Sequence, residues 1–151
     1  MQSRRQALKK TAVVASLLAS TGLFPQFAFA FNKDAFEANS IQDALKALGA
    51  GALSASKDVT LTAPDIAENG AVVPLAVSTT LPGVKRLLIL VEKNPAALVA
   101  LFNVSDSVEP AFSTRAKMGQ SSDVYAVAIM GDGKVLFAKK EVKVTLGGCG
   151  G

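Results

Sequence analysis

The residues able to do covalent chemistry are few. Among 151 residues there is one cysteine, Cys149, and no histidine. Cys149 stands between Gly147-Gly148 and Gly150-Gly151, so four of the twelve glycines flank the one thiol. Without histidine, the common zinc sites and the Ser-His-Asp and Cys-His nucleophile pairs are excluded. The glycine fingerprints of dinucleotide and phosphate loops are absent as well. A thiol reacts as thiolate, with an ordinary pKa of about 8.5 that falls only beside a cation, a helix N-terminus or a base. The sequence puts none of these next to Cys149, and the nearest fixed charge, the carboxylate of Gly151, disfavours the thiolate. Cys149 is therefore expected to be a handle that other proteins operate on, with no metal and no cofactor of its own.

The flanking glycines say how that handle is held. Glycine has no side chain to pack and loses the most freedom on ordering, so 147–151 are expected to form a flexible arm. Leu146, the last residue expected in a strand, lies three residues before Cys149, a reach of roughly 10 Å when extended. A thin tether of this kind can enter a narrow active site. An unpaired thiol in an oxidising compartment is a liability, which argues against an incidental cysteine at a frayed end.

That compartment is indicated by the first thirty residues. Arg4, Arg5, Lys9 and Lys10 form a basic segment, a mostly apolar run extends from Thr11 to Phe24, and Pro25 breaks it. Ala28 and Ala30 then supply small residues at the positions a signal peptidase reads, so cleavage is expected after Ala30. The apolar run is shorter than the roughly 20 residues needed to span a bilayer. Ser3-Arg4-Arg5-Gln6-Ala7-Leu8-Lys9 resembles the twin-arginine signal that exports folded proteins, with Ala7 where an aromatic is commoner. Paired arginines also occur in ordinary export signals. The four cations account for the net charge of +4, because from residue 31 onward 12 basic residues meet 12 acidic ones. A neutral body predicts no nucleic-acid footprint.

The body must position the arm. Ser40 with Asp43 predicts a capped helix carrying Ile41, Ala44, Leu45 and Leu48 on one face, ended by Gly49 and Gly51, with Phe36 in a shorter turn before it. From residue 56 the period becomes that of strands. These are expected over 59–62, 72–77, 84–92, 98–104, 111–117, 124–130, 134–139 and 141–146, with a turn at Glu68-Asn69-Gly70, where Asn-Gly accepts positive φ. Pro74 is expected to force an edge position or a bulge, and another bulge is expected between the last two segments. The strongest central strand is 84–92. Short strands with turns every eight to twelve residues predict a mainly β, immunoglobulin-like antiparallel sandwich preceded by a short helical segment. The domain organisation is then 1–30 export signal, 31–146 carrier domain and 147–151 arm. Sheet edges need cover, and a strand as apolar as 84–91 cannot leave one face wet, so a partner surface is expected over it.

The ending Val144-Thr145-Leu146-Gly147-Gly148-Cys149-Gly150-Gly151 resembles the carrier arm of the SoxY family of sulfur-oxidation proteins. Further matches are Pro64-Asp65-Ile66-Ala67-Glu68-Asn69-Gly70, Val73-Pro74, Glu92-Lys93-Asn94-Pro95 and Ser113-Thr114-Arg115. The resemblance covers roughly residues 35–151. It implies a periplasmic carrier with no cofactor, paired with a SoxZ-like β-sandwich subunit that rides out with it. It also implies that thiosulfate is coupled oxidatively to Cys149 by a SoxXA-like haem enzyme and that a SoxB-like enzyme hydrolyses off sulfate. A SoxCD-like enzyme then oxidises the remaining sulfane sulfur, or that sulfur is transferred elsewhere. Folded export fits this picture, since the sequence offers no cofactor to explain it but does imply a partner.

Three other readings compete. Ubiquitin-like sulfur carriers also end in Gly-Gly, but they are activated with cytosolic ATP, against the export signal. A lipid anchor would need its cysteine directly after the signal, so no membrane anchor is expected. An exported structural sandwich dimerising through a Cys149 disulfide is the remaining alternative, although a permanent crosslink suits a rigid setting better than glycines. Asn103-Val104-Ser105 matches the glycosylation triplet, a pattern too common to carry weight.

Overall fold

In the computed structural model, residues 32–145 are described. The signal residues Arg4, Arg5, Ala28 and Ala30, and the arm residues Gly147, Gly148, Cys149, Gly150 and Gly151, lie outside them.

The description opens on two short helices, α1 (Lys33–Glu37) and α2 (Ile41–Ala47). Asn32 caps α1, accepting from the Ala35 N–H at 3.1 Å, and its amide also donates to the Ala47 carbonyl at 2.8 Å, tying the helices together. Ser40 caps α2 as expected: its hydroxyl accepts the Asp43 N–H at 3.1 Å and donates to the Asp43 carboxylate at 2.7 Å. At the other end Ala50 N–H reaches the Leu45 carbonyl and Gly49 N–H the Lys46 carbonyl, with Gly49 at φ 69°. This is a Schellman closure, and the left-handed residue in it is the glycine.

Nine strands follow: β1 (Leu53–Ala55), β2 (Val59–Thr62), β3 (Ile66–Ala67), β4 (Val73–Thr79), β5 (Val84–Val91), β6 (Leu98–Asn103), β7 (Ala111–Ala116), β8 (Ser122–Met130) and β9 (Val135–Val144). The larger sheet runs β1-β9-β8-β5-β6, with β3 on the far end of β9, and the smaller runs β2-β4-β7. Together they make a mainly β, immunoglobulin-like sandwich behind a short helical segment. All pairings are antiparallel except β1 and β3, which both lie parallel to β9 and had no counterpart in the sequence reading. Two or three residues are too few to show a period.

Strand β5 is central, as its composition predicted, and it is buried on both sides. Leu87, Ile89 and Val91 face the smaller sheet, meeting Leu75 and Val77, whereas Leu88 and Leu90 face Ile41, Ala44 and Leu45 of α2. The expectation that a partner must cover the second face of this strand is therefore overturned. The protein's own helices cover it, and each leucine so buried contributes about 1.5–3 kcal/mol.

One further expectation is met and another changes. Strand β4 is the middle strand of the smaller sheet, in continuous register with β7, yet Pro74 holds the expected edge position within it, without a bulge. Proline fits because β2 pairs β4 only from Ala76 to Thr79, so at Pro74 one side of the strand has no ladder to interrupt. Strand β9 is continuous through ten residues, with no register shift against β8. Leu136, Ala138, Val142 and Val144 point between the sheets, and Lys140 keeps the same alternation. Its head escapes to the Ala63 carbonyl at 2.7 Å and the Asp65 carboxylate at 2.9 Å. The stacked rings of Phe102 and Phe112, 4.5 Å apart, close the sandwich between β6 and β7. Among the described residues no helix is long and apolar enough to cross a membrane.

Candidate functional site

Cys149 and its glycines are outside the described residues, but the strand that leads to them is not. Thr145, the last described residue, is four positions before Cys149. Both sides of the end of β9 are held. On one, the Lys143 N–H donates to the Asp65 carbonyl at 3.0 Å and the Thr145 N–H to the Ala67 carbonyl at 3.1 Å, so β3 serves as a short splint. On the other, the Val144 N–H donates to the Ser121 hydroxyl at 2.9 Å.

The turn after β3 presses on the same point. A Cβ on Gly70 would overlap the Met118 carbonyl oxygen and stand 2.8 Å from Val144 Cγ1. The Met118 N–H in turn donates to the Gly70 carbonyl at 2.7 Å. Positive φ, the sequence argument for Asn69-Gly70, is not what Gly70 supplies, since the described glycines with positive φ are Gly49, Gly83 and Gly133. Gly70 is needed for close approach. Asn69 shapes the turn, its side-chain oxygen accepting the Ala71 N–H at 3.0 Å.

A third loop completes this end. Asn94 donates to the Lys117 carbonyl at 2.8 Å, and the Lys93 N–H donates to the buried Ser122 hydroxyl at 3.0 Å. The loops after β3, β5 and β7 thus meet where β9 leaves the sandwich. Two separate sequence matches, 64–70 and 92–95, become one structure here. They build the arm's root. Met118, Ser121 and Lys140, which anchor the same end, were not singled out in the sequence, and no local pattern marks them, since each acts through a contact across the fold.

Around this root the exposed charges Glu68, Lys93, Lys117 and Lys143 are mixed in sign. The perturbed side chains of the larger sheet lie elsewhere on it. Burial raises the pKa of Tyr125, and the hydrogen bond to Asp123 raises that of Lys139. Among the described residues, no cluster of three or more His, Cys, Asp or Glu could hold a metal ion. Chemically, the root can fix the origin and direction of whatever follows Thr145.

Comparison with known proteins agrees with this geometry. The sequence profile of the family described as "Sulfur oxidation protein SoxY" matches residues 44–149, from α2 through Cys149. Among solved structures, the chain is similar to the sulfur carrier protein SoxY from Chlorobium limicola f thiosulfatophilum. The identity is 35% over 68% of this chain and 92% of that one, with a TM-score of 0.61. A superoxide reductase (neelaredoxin) from Ignicoccus hospitalis aligns at a TM-score of 0.55, covering 62% of this chain and 94% of that one. At 14% identity that likeness concerns the fold alone. No match is found among curated proteins. With the profile match running through Cys149 and a sulfur carrier of the same architecture at 35% identity, the chain belongs to the SoxY family of sulfur-oxidation carrier proteins.

Proposed function

We propose that this chain is the carrier subunit of a periplasmic thiosulfate-oxidising system, holding sulfur intermediates covalently on Cys149 while partner enzymes act on them. Residues 1–30 are its export signal, of twin-arginine type through Arg4 and Arg5, cleaved after Ala30. Residues 31–146 are the carrier domain. Gly147, Gly148, Gly150 and Gly151 are the flexible surroundings of the thiol. The observation that carries this reading is the sequence beyond Thr145: a strand end held on both sides is followed, after Leu146, by Gly-Gly-Cys-Gly-Gly.

The cycle balances on that thiol. A SoxXA-like haem enzyme joins the terminal sulfur of thiosulfate to Cys149, giving Cys–S–S–SO₃⁻ and releasing one proton and two electrons to the haem. A SoxB-like hydrolase adds water and releases sulfate and a proton, leaving a persulfide. A SoxCD-like enzyme oxidises that sulfur, or it is passed to another acceptor. The carrier itself supplies no catalyst and no cofactor. A SoxZ-like subunit completes the complex. Support for it comes from family membership, since α1 and α2 already cover the apolar face once assigned to a partner.

Cys149→Ser tests the proposal. A residue on a glycine arm is expected to carry no core packing, so the variant should keep the fold and the partner. It should abolish thiosulfate-dependent turnover in a reconstituted system. Normal turnover would reject the carrier reading and favour the disulfide-linked structural protein.

A further inference from the structure

The outer face of the smaller sheet holds a groove of about 750 Å³ beside the arm's root. Its origin is visible in the register. β2 pairs β4 only as far as Thr62 with Ala76. Ala63-Pro64 then leaves the sheet, drawn toward β9 by Lys140, which holds the Ala63 carbonyl and the Asp65 carboxylate. From Leu75 back to Val73, strand β4 has a neighbour only on its β7 side. The floor is made of small outward-facing residues, with Ala76 opposite Ser113, and Pro74 opposite Arg115. The Arg115 guanidinium is exposed, and among the described residues no carboxylate pairs with it.

We propose that this groove is the resting site of the arm 147–151 when Cys149 carries a thiosulfonate, with Arg115 binding the sulfonate end. The proposal rests on the carrier reading above. Three observations select this occupant. The first is charge. The thiosulfonate is a fixed anion whose three oxygens suit the planar donor fork of a guanidinium, and the hydroxyls of Thr62 and Ser113 on the same groove can donate to it. An empty thiol at neutral pH offers no such anion.

The second is reach. Arg115 is three residues before Met118, whose carbonyl packs at Gly70 beside Val144. Three extended residues span roughly 10 Å, and the five from Val144 to Cys149 span up to roughly 17 Å, so the sulfur can come to the guanidinium. The third is shape. A floor of alanine, serine and proline leaves room for a backbone to lie close, and an arm of glycines has no side chains to keep it away. The groove would then separate loaded from empty carriers by charge. After the sulfonate leaves as sulfate, the persulfide lacks the group that Arg115 recognises, and the arm is released for the next enzyme.

The test uses the full mature chain, labelled with ¹⁵N and loaded with tetrathionate. The Cys149 thiolate attacks a central sulfur of tetrathionate, Cys149–S–S–SO₃⁻ forms, and thiosulfate leaves. Mass spectrometry verifies loading. The amides of Thr62, Ala76, Ser113 and Thr114 should shift in the loaded protein and stay in place when the thiol is capped with neutral iodoacetamide. Arg115→Gln should load equally yet lose these shifts, and Arg115→Lys should retain part of them. Reduction of the loaded arm by dithiothreitol should be about fivefold faster in Arg115→Gln than in wild type, the factor an exposed ion pair supplies.

Shifts confined to the neighbourhood of Thr145, or equal in Arg115→Gln, would overturn the proposal. So would groove shifts caused by adding the partner subunit to capped protein, which would make the groove an interface between subunits. Each of these leaves the carrier reading standing, because that reading is tested separately, by the turnover of Cys149→Ser.

Discussion

An alanine at position 70 would set its Cβ against the Met118 carbonyl, a backbone atom that cannot swing aside, and against Val144 Cγ1. One methyl group would thus push apart the turn after β3, the loop after β7 and the last residues of β9. Overpacking of this kind costs typically about 1–3 kcal/mol. Gly70→Ala should therefore lower the urea midpoint by a corresponding amount with an unchanged slope. Its hydrogen exchange should quicken first at Lys143 and Thr145, whose amides bond to the carbonyls of Asp65 and Ala67. An unchanged midpoint would mean that the root is not the tightly packed point described here. The residue was legible in the sequence and its reason was not. Asn69-Gly70 is a turn signal at any position, whereas the contact that demands glycine comes from residues 48 and 74 positions farther along.

Strands β5 and β9 show which elements a linear pattern can reveal. The continuous apolar run of β5 identified a strand buried on both faces, and that is its place. The run does not say what buries it, and the apolar face expected on α2 does not say which strand it covers. Leu88→Ala, on the helix-covered face, should cost about 2–5 kcal/mol, as Ile89→Ala should on the face toward the smaller sheet. Comparable losses in denaturant midpoint would show that the helical segment is part of the core. A loss at Leu88 below about 1 kcal/mol would show that it is peripheral. In β9 the sequence predicts a bulge between 134–139 and 141–146, at Lys140. The strand continues because Lys139 and Glu141 face outward and Lys140 lays its stem inward while its ammonium reaches Ala63. Periodicity sees the charge and not the nearby carbonyl that satisfies it.

In the proposed function the whole molecule divides its labour between a body that fixes a point and a segment that moves sulfur away from it. The fold class was readable because strand period, turn residues and the capped helix all agreed, and the family was readable from eight residues around Cys149. The groove beside the root was not. It depends on β2 parting from β4 after Thr62, which pairing decides and local sequence does not. The measurement that bears most directly on the central claim is the intact mass of the native protein, taken from its own periplasm during growth on thiosulfate, with fragmentation across 146–151. The account predicts a chain beginning at Phe31 and carrying added sulfur, as persulfide or thiosulfonate, on Cys149. An unmodified Cys149 in cells that are producing sulfate, or a cysteine found only as a disulfide between two copies of this chain, would contradict it.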